Sequence, residues 1–264
     1  MKDNLFSIIV FLGISLFFFA CSEKKMSTFE KSTFVKGTDT LFYRILYPPD
    51  FNPAEKYPLI LFLHGAGERG NNNESQLAYM GEFFEKQVNK KNFRSVVVAP
   101  QCPEDDYWAA VDFLFDEEGK RKLSFSKDKE PTASLAMVMA MMEEFMAKSW
   151  IDQERMYVGG LSMGGMGTFE LLARKPDWFA AAFPICGGGD TLSASDYAGK
   201  TALWIFHGRE DDVVPVEHSV SMANAIREAG GNVKLTIYPN VGHASWIPAF
   251  AEPELMEWIL SNRK

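Results

Sequence analysis

Cysteine and histidine are scarce in this chain, three and four among 264 residues. None of them form a cluster with zinc-ligand spacing, so neither a metal nor another cofactor is expected. Basic residues are outnumbered, with 27 Lys and Arg against 35 Asp and Glu and a net charge of −8. Without a basic stripe, nucleic acid is not an expected partner, and the acidic excess disfavours polyanionic substrates. Internal repeats and low-complexity tracts are absent. No break in composition marks a second domain in a chain long enough to bury one substantial core. An apolar run of comfortable membrane-spanning length is also missing. The one candidate, Leu5–Ala20, follows Met1-Lys2-Asp3-Asn4 and stops before Cys21. It is short for a span, and a lipoprotein signal ends this way, cleaved before a cysteine that then carries lipid. Residues 1–21 are therefore expected to be such a signal with Cys21 as the lipidation site, and 22–33 a polar tether. The implied address is a bacterial cell envelope, periplasmic or surface, with membrane contact only through the anchor. Phe18 and Phe19 are bulky for the positions before the cleavage site, and an ordinary anchor helix or a cleaved secretory signal is the alternative. Beyond Cys21 only Cys102 and Cys186 remain, both near expected strand ends. A disulfide between them is conceivable in an oxidising compartment, but two spaced cysteines more often stay unpaired in a core.

What is present is concentrated in residues 156–169, Met156 to Phe169, where a short apolar strand runs into a glycine-flanked serine and a helix start. Gly160-x-Ser162-x-Gly164 fits a nucleophile elbow, a turn tight enough to strain the serine backbone. Glycine two residues to either side lets neighbouring backbone approach where a Cβ would clash. The same turn aims the Met163 amide at the place where a substrate carbonyl oxygen would become negative.

Three further segments fit the same chemistry. Tyr57–Leu63 is a continuous apolar run, as for a strand buried on both faces, and ends in His64-Gly65-Ala66-Gly67-Glu68-Arg69-Gly70. That loop can offer the Ala66 amide as a second oxyanion donor, with His64 holding the loop by side-chain hydrogen bonds rather than acting as base. Thr201–Phe206 is another buried-strand run, and Asp211 lies just past its end. A carboxylate there can fix an imidazole's tautomer; Glu210, Asp212 and the more distant Asp190 are rivals. Leu235–Pro239 reads as a last strand, followed by His243 in Val241-Gly242-His243-Ala244-Ser245-Trp246. Of the other histidines, His64 and His207 belong to His-Gly turns and His218 to the charged start of a surface helix. Only His243 follows the acid, so the order is nucleophile Ser162, acid Asp211, base His243.

These segments resemble the α/β-hydrolases of the esterase and "predicted peptidase" group, related to dienelactone hydrolases, polyhydroxybutyrate depolymerases and feruloyl esterases. The resemblance rests on Tyr57–Gly70, Ala99–Pro103 with Trp108, Gly160–Gly165, Phe183–Asp190, His207–Pro215 and Gly242-His243. It covers nearly all of 34–264 as one catalytic domain. It implies carboxylic-ester hydrolysis through an acyl-enzyme, by a serine hydrolase acting on a small-molecule or glycan-linked ester, acylated or feruloylated carbohydrates included. A serine peptidase of prolyl-oligopeptidase type and an inactive surface binding module on the same fold are the alternatives.

The expected fold class is α/β, an α/β-hydrolase fold with a mostly parallel central sheet and helices on both faces. Expected strands are Phe42–Tyr47, Leu59–Leu63, Ser95–Ala99, Met156–Gly159, Ala180–Ile185, Thr201–Phe206 and Lys234–Tyr238. Expected helices are Glu74–Val88, Thr132–Lys148 with Thr132 as N-cap, Met163–Arg174, Val216–Ala229 stopped by Gly230-Gly231, and Glu252–Ser261. The methionine-rich Met137–Met146 is expected to face the core. Trp108 and Trp246, read as strand-end loop residues, are the candidates for the wall of a substrate pocket, and loop packing is the competing role. Asp112–Glu130 is too polar for the core and reads as a solvated insertion, with a flap over the site as the alternative.

Overall fold

A computed structural model describes residues 29–88, 90, 93–115, 117–119 and 121–264. Cys21 and the expected signal segment lie outside the described residues. Ten strands are β1 Glu30–Lys36, β2 Asp39–Leu46, β3 Tyr57–Leu63, β4 Val96–Pro100, β5 Val111–Phe115, β6 Arg121–Phe125, β7 Ile151–Leu161, β8 Ala181–Ile185, β9 Ala202–Gly208 and β10 Val233–Tyr238. The helices are α1 Gly81–Val88, α2 Ala133–Met146, α3 Met163–Arg174, α4 Ala194–Tyr197, α5 Glu217–Glu228, α6 Trp246–Ala251 and α7 Leu255–Ser261. Eight strands form one sheet in the order β1-β2-β4-β3-β7-β8-β9-β10. From β4 to β10 every neighbouring pair is parallel, and β2 runs against both β1 and β4.

The continuous apolar strands produce the sandwich of layers. All seven residues of β3 are buried, with Leu59, Leu61 and Leu63 on one face and Ile60 and Phe62 on the other. The first face is covered by α2, α3 and α5, the second by α1, α6 and α7. The methionine-rich α2 faces the core as expected, burying Leu135, Val138, Met141 and Met142. Thr132 caps it by accepting from the Leu135 N–H at 3.1 Å, worth about 1 kcal/mol. Helix α5 ends where Gly230, at φ +78°, takes the left-handed conformation that closes a helix.

Several elements depart from expectation. Strand β1 occupies part of the stretch read as tether, and Phe29 before it is buried. Its pattern is mostly exposed, because it forms the sheet edge. The helix expected from Glu74 starts only at Gly81, since Asn72 Oδ1 accepts from the Glu74 and Ser75 N–H groups and turns the chain there. The polar segment 112–130 folds as the antiparallel hairpin β5–β6. Its inner face contributes Leu123, with Val111 and Phe125, to a small cluster holding Met166 of α3 and Val214. Trp246 is the first residue of a short helix, α6, which tolerates Pro248 because its first-turn N–H groups have no intrahelical partner.

Candidate active site

Strand β7 delivers Ser162 into α3 through a turn of one residue, at φ 55° and ψ −117°. That conformation costs a non-glycine residue on the order of 1–3 kcal/mol. Crowding keeps it in place. A Cβ at Gly164 would collide with the Leu63 carbonyl, and one at Gly160 with the Gly164 carbonyl. The Ser162 N–H donates to Ile185 O at 2.9 Å, pinning the turn to β8.

Asp211 lies three residues past β9 and is buried. Its Oδ1 accepts from the N–H groups of Val213 and Val214, each at 2.9 Å. Its Oδ2 accepts from His243 Nδ1 at 2.8 Å and lies 3.2 Å from His207 Nε2. Burial alone would raise this carboxyl's pKa, but the bonds from His207, His243 and Val214 hold it well below the usual carboxylate range. His243, with Nδ1 thus donating, presents Nε2 as acceptor to Ser162 Oγ at 2.9 Å. The three residues form one hydrogen-bonded line. Asp212 and Glu210 point into solvent, and Asp190 is occupied with the Leu192 and Lys127 amides.

Met163 opens α3 and Ala66 opens the short 3-10 turn Ala66–Glu68, positions whose N–H groups lack an intrahelical partner. His64 behind Ala66 is buried. Its Nε2 accepts from the Cys102 N–H at 2.9 Å, while Nδ1 faces Gly65 O at 2.6 Å. Burial lowers its pKa to about 4, Arg69 adds to the effect, and the Gly65 carbonyl opposes it. The loop-holding role expected of this histidine is what the geometry gives.

The two tryptophans separate. Trp108 is fully buried, and its indole N–H donates to His64 O at 3.1 Å. It braces the loop from beneath and has no surface left for a ligand, which corrects its assignment as a pocket wall. Trp246 stands edge-on to His243 with ring centroids 5.5 Å apart, and Tyr79 packs on it at 5.0 Å. Tyr79 is 48% exposed, so an aromatic surface reaches solvent beside His243. Cys102 and Cys186 are both free and buried. Among the described residues, Cys186, Asp211 and His243 are the group whose donor atoms lie close enough to hold an ion, within 4.8 Å of one another. Two of its three members already bond each other, and burial pushes the Cys186 thiol up to about 12.

His207 was legible only as part of a His-Gly turn. It is fully buried at the end of an apolar strand, where an imidazole must find partners, and its place closing that apolar run is the signal that could have found it.

The sequence model of the phospholipase/carboxylesterase family matches residues 52–252. A bifunctional acetylxylan esterase/xylanase of Neocallimastix patriciarum is 27% identical over 169 residues, 64% of this chain and 21% of that protein. The chain thus corresponds to about a fifth of that relative's length. Acyl-protein thioesterase 1 of Neurospora crassa is 23% identical over 235 residues, covering 82% of this chain and 91% of the other. Among solved structures, a thermostable esterase superposes with a TM-score of 0.79 at 34% identity, over 90% of this chain and 64% of that one. The elbow, the parallel sheet and the family match agree: this chain belongs to the phospholipase/carboxylesterase family of α/β-hydrolases.

Proposed function

We propose that this protein is a serine carboxylesterase working through an acyl-enzyme, with acylated carbohydrates, feruloylated ones among them, as its substrate class. The observation that carries the reading is the line Asp211–His243–Ser162, with 2.8 Å and 2.9 Å contacts ending on a serine held in an elbow. His243 takes the Ser162 proton as Oγ attacks the ester carbonyl, and Asp211 stabilises the imidazolium. The amides of Met163 and Ala66 receive the developing oxyanion. His243 then protonates the leaving alcohol, and water activated by the same imidazole releases the acid. This chemistry uses only groups of the chain itself. The half-exposed aromatic surface of Tyr79 and Trp246 beside the base suits a ring-bearing alcohol or an aryl acyl group. The Neocallimastix relative, a bifunctional acetylxylan esterase/xylanase, supports the carbohydrate side of the reading. A lipid anchor at Cys21 would place such an enzyme at the cell envelope.

A fluorophosphonate titration read by intact mass tests the mechanism on wild type, Ser162→Ala and His243→Ala. One stoichiometric adduct, lost in both variants, is expected. Ser162→Ala should also lower ester turnover on the order of 10⁴-fold. Near-normal turnover by that variant would rule the mechanism out. Faster cleavage of an amide than of an ester with the same acyl group would replace esterase by peptidase.

A further inference from the structure

The acid of the site is shared between two imidazoles, and only one of them touches the serine. His207 leaves β9 four residues before Asp211 and is fully buried. Its Nε2 faces two acceptors, Val214 O at 2.8 Å and Asp211 Oδ2 at 3.2 Å. A nitrogen between two acceptors must carry the proton, so its N–H is divided between the acid and the backbone that wraps it. Its Nδ1 pairs with Ser219 Oγ of α5 at 2.7 Å, and that oxygen lies 3.1 Å from Gly187 O, just past β8. One ring thus ties the acid, the acid loop, α5 and the end of β8 together.

We infer that His207 is a positioning residue for the esterase reaction, fixing the Asp211 carboxylate and sharing its charge so that Oδ2 stays aimed at His243. The inference rests on the serine-esterase reading above. The titratable groups facing Asp211 are His207, His243 and the Cys186 thiol at the end of β8. His218, on the first turn of α5, is the further one that interacts with His207. With the His207 donor removed, the charge on Asp211 is spread over one fewer hydrogen bond. The carboxylate is then free to turn Oδ2 away from His243, and the imidazole loses its orienting partner.

The test compares His207→Phe, which keeps a ring but has no donor, with His207→Gln, whose amide nitrogen can stand near the lost Nε2. Fluorophosphonate labelling first counts active sites in each. An unlabelled, inactive wild type would overturn the esterase reading itself, and with it this role. With wild type labelled, His207→Phe is expected to lower kcat per labelled site by about tenfold or more at little change in KM. His207→Gln, which returns a donor to the carboxylate, should restore that turnover. A Phe variant with unchanged turnover per labelled site, or a Gln variant as slow as Phe, overturns the proposal. Should His207→Phe not fold, nitrogen-15 imidazole spectra of the wild type decide. A His207 Nε2–H signal that shifts when Ser162 is phosphonylated supports the role, and an unresponsive one overturns it.

Discussion

Acid should weaken this protein through His64, by an amount the structure lets one work out. The folded ring is held as one neutral tautomer. Nδ1 must carry the proton to meet Gly65 O, and Nε2 must be bare to accept from the Cys102 N–H. A second proton on Nε2 would face that N–H head-on inside a buried site. The group therefore falls from 6.5 to about 4 on folding, burial being the main cause. The unfolded chain binds the extra proton below about pH 6.5 and the folded chain does not, so stability rises with pH across this window. The contribution is complete above about 6.5 and is lost as pH falls toward about 4. At about 1.36 kcal/mol per pH unit, the loss reaches about 3 kcal/mol, a large part of a stability of about 5–15 kcal/mol. His64→Gln isolates the effect, because a side-chain amide oxygen can still accept from Cys102 and does not titrate. Urea unfolding followed by tryptophan fluorescence would be run on both proteins from pH 8 to pH 4. The variant should be the weaker at pH 8, and the gap should close by about 3 kcal/mol by pH 4. Carboxylate titrations are common to both and cancel in the difference. A gap that stays constant with pH would refute the argument.

Other expectations follow from single contacts. Gly164→Ala drives a methyl group into the Leu63 carbonyl and should cost about 3 kcal/mol or more, read as a lowered urea midpoint; wild-type stability would contradict the packing. Cys102 and Cys186, each pushed by burial to about 12, should both resist a thiol reagent at pH 8 in native protein and react on unfolding, as peptide mapping would show. Tyr79→Ala, which leaves the serine line untouched, should lower kcat/KM for esters of aryl or sugar alcohols about tenfold and leave methyl esters unchanged. Equal losses on both substrate types would remove Tyr79 from substrate recognition.

The parts of the fold that could be read from the sequence are those buried on both faces. Strands β3, β4, β8 and β9 announce themselves as unbroken apolar runs, because neither face needs polar residues. Strand β1 could not be read this way, since of its residues only Phe34 is buried. The hairpin β5–β6 hid for a related reason: Leu123, with the partly buried Val111 and Phe125, packs inward, while Phe113, Leu114 and Phe115 remain exposed. The chain order Ser162, Asp211, His243 was legible because each residue follows a strand end. Residue type alone could not separate Asp211 from Asp212. The distinction lies in backbone geometry, which turns the Val213 and Val214 amides onto one carboxylate and leaves its neighbour in water. Trp108 misled because a tryptophan beside a catalytic loop looks the same in sequence whether it faces the ligand or the underside of the loop.

The pairing of Leu63 with Gly160 in the β3–β7 ladder has a consequence for how the protein tolerates change. Two residues beyond that rung, one strand leads to Gly65 and Ala66 and the other to Ser162 and Met163. The spacing between the two amides and the serine oxygen is therefore set by sheet register rather than by loop conformation. Register changes only in whole steps, about 3.3 Å per residue with every side chain sent to the opposite face. Deleting or inserting one residue in the paired stretches Leu59–Leu63 or Met156–Gly160 should abolish the site outright. Lengthening the exposed β1–β2 turn at 37–38 by several residues should leave it in working order.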